Sequence, residues 1–548
     1  MYSEGKIWAA QSDKNLFILP KMANRHGLIA GATGTGKTIT MKVIAESFSD
    51  MGVPVFFSDV KGDLSGMCVP GNDTEDMQNR IRRFGIENFS YKGYPTRFWD
   101  IFGETGHPVR CTVSDMGPQL LSRLFNLTDV QSGVLNVVFK VADEHGMPIL
   151  DFKDLRAMLQ FVGENRAEFT TMYGNVTTAS IGAIQRALLA FEDEGGADMF
   201  GEPALDIRDW MRTDIEGRGY INILTSTRLI QSPTVYSTFL LWMLSELFEK
   251  LPEVGDLDKP RMIFFFDEAH MLFTDAPKAL VQKIVQVVKL IRSKGVGVYF
   301  VTQSPSDIPN EVLAQLSNRV QHGLRAYTPS ELKAVKAAAN AFRANPAFDS
   351  EEELMALGTG EALVSFLDEK GVPSIVEKAR ILPPQSLMGP APSDKVNSII
   401  VSDEFELKYR EPVDRESAYE IIVKANEEIK AQQEAEAQAE AEALAQAKAE
   451  KEKEAEEKAN GKRLTNYRKG SSGKNPVNTA VSKTAERAVK SAASSLTRSL
   501  ATNAVNSVTG GKKKSAKAIG KQVATTALSS VMRNSANSIL RGLFGNMK

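Results

Sequence analysis

Cysteine is nearly missing: a chain of 548 residues carries only Cys68 and Cys111. Two thiols without metal-site spacing cannot build a disulfide framework, so a reducing compartment is expected. Long apolar runs are missing too. The greasiest stretch, Phe239 to Leu244, falls far short of the ~20 residues that a membrane-spanning helix needs. Met1 to Lys6 lead into no apolar signal region. These absences predict a cytoplasmic protein. Acidic side chains are scarce at one end only: Gly461 to Lys548 hold 17 Lys/Arg against the single acid Glu486, a net +16.

What is present is ordinary globular material. Hydrophobic residues make up 42% and charged residues 24%, which rules out wholesale disorder and a collagen-like chain. The length allows about three or four domains. Glu427 to Lys458 carry 11 acids and 5 bases, and since the whole chain stands at −2, the residues up to Asn426 hold −12. The basic, partner-seeking end is therefore the tail.

Up to about Pro384, short apolar runs alternate with helical patterns, the mark of an α/β domain with a parallel sheet. Strands are predicted at 26–30, 53–58, 220–224, 262–266 and 297–301, and helices at 39–48, 234–250 and 277–293. Between the second and third strands lies a long insertion, expected as short strands and loops to about Ser114 and as helices to about Met211. The resulting division is a first part of the core at 1–114, a mainly helical insertion at 115–215, and the rest of the core at 216–385. A linker at 386–414 follows, then a Glu/Ala-rich helix or coiled coil at 415–460 and a low-complexity basic tail at 461–548. The helix would reach ~60–70 Å. Leu is nearly absent from it and no heptad seam is kept, which favours a solvated single helix or a loose helical pair. Within the tail, Val481, Ala485, Ala488, Ala492, Leu496 and Leu500 recur at helical spacing.

Gly31-Ala32-Thr33-Gly34-Thr35-Gly36-Lys37-Thr38 fits the phosphate-loop pattern between a predicted strand and a predicted helix. Glycines let successive N–H groups turn toward phosphate oxygens, and the helix adds its positive N-terminus. Lys37 is expected on the β- and γ-phosphates and Thr38 on Mg²⁺. A second apolar strand ends in Asp267-Glu268, adjacent carboxylates that are costly to bury unless a cation and water engage them. Asp267 would join Thr38 on the metal, and Glu268 would deprotonate the attacking water. Gln303 ends a neighbouring strand, where an amide can bond the γ-phosphate or the water. Arg292 closes a helix, where a cation also simply complements the helix C-terminus. Cys68 and Cys111 are expected as core or loop residues.

In order, Arg25-His26, GATGTGKT, Asp59-Val60-Lys61-Gly62-Asp63, FFFDEAH, an arginine before the next strand, and VTQSP resemble the HerA–FtsK superfamily of P-loop motor ATPases. Within it the chain looks most like the YjgR-type bacterial branch of HerA-like proteins, over about residues 1–385. The resemblance implies a RecA-like core that hydrolyses ATP with Mg²⁺, a homo-oligomeric ring expected as a hexamer, and translocation or helicase-type remodelling of DNA. It makes Arg292 an arginine finger for a neighbouring subunit and Arg25 a second phosphate-sensing arginine, with Arg319 a third. It also matches Asp59 and Asp63 to an acidic pair after a strand, a segment that otherwise reads as a simple turn. HerA-like translocases usually carry a β-barrel before the core. Here the phosphate loop begins at Gly31, so nuclease docking through such a barrel is not expected. The letters Asp-Glu-Ala-His also spell the box of one RNA-helicase group, but that group's Gln-Arg-Gly-Arg type motif does not follow. The rival reading is a nucleotide-switched scaffold acting through its tail. For the tail, polyanions, a protein partner or the acidic core, and an anionic membrane surface are the expected partners.

Overall fold

The computed structural model describes residues 1–273 and 278–466. The predicted tail features, including the Val481 to Leu500 spacing, lie outside the described residues. Seven parallel strands form the centre of the sheet: β1 (Gly27–Ala30), β2 (Val55–Asp59), β3 (Thr96–Asp100), β4 (Ile221–Thr225), β5 (Met262–Phe266), β6 (Val296–Thr302) and β7 (Asn318–His322). Their spatial order is β7-β1-β6-β5-β2-β4-β3. Every neighbouring pair in that order is parallel. Parallel strands need crossovers, supplied here by helices α1 (Lys37–Asp50), α2 (Pro233–Lys250) and α3 (Lys278–Ile291).

The sheet is buried on both faces, which is why its strands read as unbroken apolar runs rather than alternating ones. Phe56, Phe264 and Phe266 enter one core with Trp99, Trp242 and the insertion helices, while Phe57 and Phe265 enter the other with Met41, Ile44 and Phe48 of α1. Successive side chains point to opposite faces of a strand, so the two cores share the same five residues of β5.

The insertion contains five helices, Val113–Leu124, Asp129–Glu144, Phe152–Glu164, Arg166–Tyr173 and Thr178–Asp193. Capping boxes at Thr112, Thr128 and Asp151 start three of them. The expectation of only strands and loops before Ser114 needs correction, because Glu75–Phe84 is a helix. Its face is so charged that only Met77 and Phe84 are buried, leaving little apolar period to read. The signals were at its ends: the Thr74 cap, the acids Glu75 and Asp76, and Gly85 in the left-handed region.

The sheet also extends beyond the parallel core. Glu361–Ser365 adds antiparallel to β7, followed by Glu377–Ile381 and Lys6–Gln11. Tyr2–Ser3 and Asn15–Ile18 pair with that last strand.

The segment 386–414 is not a free linker. Two short helices, Ser393–Ser402 and Phe405–Tyr409, pack with Ile400, Phe405 and Tyr409 buried. Before them, Ser386 donates from N–H and hydroxyl to Glu46 of α1 at 3.0 and 2.6 Å, and Lys42 of α1 donates to the Leu387 carbonyl at 2.6 Å. Arg97 pairs with Asp403 at 2.8 Å and lies against the rings of Tyr220 and Phe405. Proline and serine gave this stretch a loop-like composition, while its partners are spread over distant parts of the chain. The Glu/Ala-rich segment forms one helix, Ala418–Asn466, whose side chains from Glu434 to Lys458 are exposed. No helix among the described residues is long and apolar enough to cross a membrane.

Candidate active site

In a parallel sheet all strand C-termini meet at one edge. That edge carries the phosphate loop after β1, Asp59 ending β2, Asp267-Glu268 after β5, Gln303 after β6 and His322 ending β7. Gly36 precedes α1 without a side-chain cap, and the first N–H groups of a helix have no intrahelical carbonyl. An anion is the natural partner for such a terminus. Two loop glycines are required by shape. Gly31 sits at φ 154°, where a Cβ would lie 2.5 Å from the Cβ of His322, and Gly36 sits at φ 116° against Gly360.

Lys37 folds back on this loop, its Nζ donating to the carbonyls of Gly31 at 2.6 Å and Ala32 at 3.1 Å. Burial lowers its pKa, and nearby Lys61 lowers it further, against the pull of Glu268 and Asp267. Thr38 is half-buried as the second residue of α1, while Thr33 and Gly34 are exposed at the loop tip. Thr35 donates its hydroxyl to the Ala32 carbonyl at 2.7 Å.

Asp267 is buried, and burial pushes its carboxyl up to about 6, with Lys61 opposing and Glu268 adding to the rise. Glu268 adopts φ 46° and ψ 46°, a left-handed conformation uncommon for a residue with a side chain. Burial would raise its carboxyl, but Lys61, His270 and Gln303 outweigh that and hold it below the usual value. Gln303 Nε2 lies 3.5 Å from Glu268 Oε2, a long contact, and His270 Nδ1 lies 3.4 Å from the same oxygen. The donor set suits Mg²⁺, a hard cation that takes one or two carboxylates and keeps several waters. Asp267 is a buried carboxylate at the strand end, and Thr38 supplies a hydroxyl at the loop. Among the described residues no group of three or more His, Cys, Asp or Glu is placed to hold a metal ion.

The arginines lie elsewhere. Arg292 and Arg25 precede β6 and β1, at the N-terminal edge of the sheet, about 23 Å and about 13 Å of strand away from the phosphate edge. Arg292 is 39% exposed and pairs with Asp256 at 3.2 Å. Arg319 does not reach the phosphate edge. Its guanidinium donates to the carbonyls of Leu316, Leu313 and Ala341, which makes it a loop clamp. Asp59 accepts N–H bonds from Lys61, Gly62 and Leu64 at 3.2, 2.8 and 3.0 Å, so its carboxylate builds the turn. Burial pushes that carboxyl up to about 6.

Two residues were missed in the sequence. Lys61 sits 2.8 Å from Glu268 Oε1 and 3.8 Å from Asp267 Oδ2. Its position just past a strand end in the Asp59–Asp63 segment was the available signal. His322 is buried behind the loop, with Nδ1 3.0 Å from the Glu361 carbonyl and Nε2 2.8 Å from the Thr40 hydroxyl. The carbonyl contact makes Nδ1 the donor, so Nε2 accepts from Thr40. Beside Gln303 and the tip residues Ala32 and Thr33, a cleft of about 590 Å³ opens toward Leu324, Tyr327 and Val335.

A phosphate loop opening a helix, with two carboxylates on a nearby strand of a mostly parallel sheet, defines a RecA-like P-loop ATPase. The chain belongs to the helicase HerA-like C-terminal family, whose model matches residues 4–514. Among solved structures it is similar to the bacterial conjugative coupling protein TrwBdeltaN70, at 14% identity over 69% of this chain and 89% of that one, with a TM-score of 0.45. The plasmid coupling protein TrwB in complex with the ATP analogue ADPNP is also 14% identical, over 68% and 88%, with a TM-score of 0.45. VirB4 of Thermoanaerobacter pseudethanolicus is 15% identical over 70% and 97%, with a TM-score of 0.42. A comparison with curated proteins gives no match.

Proposed function

We propose that this protein binds ATP with Mg²⁺ at the C-terminal edge of its sheet, hydrolyses it between subunits of a homo-oligomeric ring, and couples hydrolysis to movement on DNA. The reading is carried by one observation: phosphate loop, Asp267-Glu268 and Gln303 share one sheet edge, while Arg292 and Arg25 sit at the other. Gly31 to Thr38 cradle the phosphates, and Lys37 exchanges its bonds to the Gly31 and Ala32 carbonyls for phosphate oxygens. Thr38 and Asp267 would hold the Mg²⁺, which when bound neutralises charge on the phosphates. Glu268 takes a proton from the attacking water, and Gln303 orients that water.

Arg292 cannot serve the loop of its own chain from the opposite edge. A neighbouring subunit that presents this edge to the phosphate edge would bring Arg292 and Arg25 to the γ-phosphate, which supports a ring, with a hexamer as the expected size. DNA as the track rests on the family, and the average charge of the core is acidic. The basic segment 461–548 would add a salt-sensitive grip on polyanions. The test is native mass measurement with and without a nonhydrolysable ATP analogue, followed by ATP turnover with and without duplex DNA at moderate salt. Nucleotide-dependent rings whose turnover rises with DNA support the proposal. Assembly without DNA stimulation favours a nucleotide-switched scaffold acting through the tail.

A further inference from the structure

Lys61 is held out to the two carboxylates by a built loop. Asp59, buried at the end of β2, accepts the N–H groups of Lys61, Gly62 and Leu64, and Gly62 turns the chain at φ 76°. This fixes the backbone of Lys61 while its side chain stays 40% exposed. Its ammonium lies 2.8 Å from Glu268 Oε1, and Gln303 and His270 approach Oε2. Both oxygens of Glu268 are therefore engaged, which is the wrong state for a group that must accept a proton from water. Two lysines, Lys37 and Lys61, stand close to two carboxylates, Asp267 and Glu268.

We propose that Lys61 is a γ-phosphate sensor that latches Glu268 in the nucleotide-free site and releases it when the ammonium swings to the terminal phosphate. This rests on the ATP site proposed above and adds a residue and a regulatory step to it. An anionic γ-phosphate competes directly with Glu268 Oε1 for the ammonium, and no other part of the nucleotide does so. ADP lacks that group, so it leaves the latch closed. The β2–β5 pairing places the two partners on adjacent strands, so the exchange needs a side-chain rotation and no movement of the sheet.

The test compares binding of a nonhydrolysable ATP analogue and of ADP, both with Mg²⁺, to the full chain, its Lys61→Met variant and its Lys61→Arg variant. The expected result is that Lys61→Met lowers the preference for the analogue over ADP about tenfold or more, as loss of a charge-assisted bond predicts. Lys61→Arg recovers most of that preference. Turnover of Lys61→Met should fall about 100-fold, in the range seen when one charge-stabilising donor is removed. A Lys61 that merely balances charge would change affinity for both nucleotides alike, and an unchanged preference overturns the proposal. The Lys61→Gln variant repeats the measurement if Lys61→Met loses its thermal transition. Absence of nucleotide binding by the unaltered chain would defeat the ATP-site reading itself, a result distinguishable from failure of the latch.

Discussion

Glu268→Gln separates nucleotide binding from hydrolysis. The substitution keeps side-chain length and one oxygen that can accept from Lys61, but removes the basic carboxylate. General-base catalysis contributes about 10²–10⁴-fold. At 1.36 kcal/mol per decade, the variant should lose about 3–5 kcal/mol of barrier lowering. The cost to folding should be far smaller. Lys61 is 40% exposed, so its ion pair with Glu268 is worth at most about 1 kcal/mol. Removing one of two adjacent charges also relieves the push of Glu268 on Asp267. Steady-state phosphate release and equilibrium ATP binding, measured on the same preparation, provide the assay. Expected are near-normal affinity, an unchanged melting transition and turnover reduced at least about 100-fold. Turnover within threefold of the unaltered protein would remove Glu268 from its role.

Lys37→Ala should abolish nucleotide binding, as read by titration with a fluorescent ATP analogue; retained affinity would detach the loop lysine from the phosphates. Arg292→Ala should lose hydrolysis, and mixing it with Glu268→Gln protein should restore part of it by forming interfaces with one intact site. Exchanged mixed rings without recovery would count against a finger supplied by the neighbour. His322 and His26 are buried and neutral, each with its pKa lowered from 6.5 to about 4 by burial. Below pH 6.5 the unfolded chain takes up protons that these folded histidines refuse, so stability falls with pH, by about 2 kcal/mol each at pH 5. Asp59 and Asp267, raised to about 6, act with the opposite sign. The clean readout is therefore the difference between the protein and its His322→Asn variant, whose melting temperature should decline less steeply from pH 7 to 5; parallel curves would refute the assignment. Deletion after Asn460 should keep basal turnover and lose salt-sensitive DNA binding, whereas unchanged DNA binding would remove the tail as the grip.

The sequence was most legible where burial on both faces left no polar interruption. The runs that became β5 and β6 could be read almost to the residue, because strands covered on both sides carry their signal without a partner. Glycines and Lys37 were legible for another reason: a loop that wraps phosphate constrains residue type position by position. Lys61 was not, because its meaning arises only when β2 lies beside β5, a pairing between residues 55–58 and 263–266. His322 was hidden likewise, since its partners Thr40 and Glu361 are remote in the chain. The strap after Pro384 looked like a linker because its stability comes from Glu46, Lys42 and Arg97 rather than from a periodic apolar face.

The proposed function joins ATP hydrolysis at one sheet edge to engagement of DNA. Its most direct test is the rate of ATP hydrolysis with Mg²⁺, measured with and without duplex DNA at moderate salt, beside Lys37→Ala as the blank. Turnover should stand well above that blank and rise further when DNA is added; turnover no greater than that of Lys37→Ala in either condition would overturn the proposal.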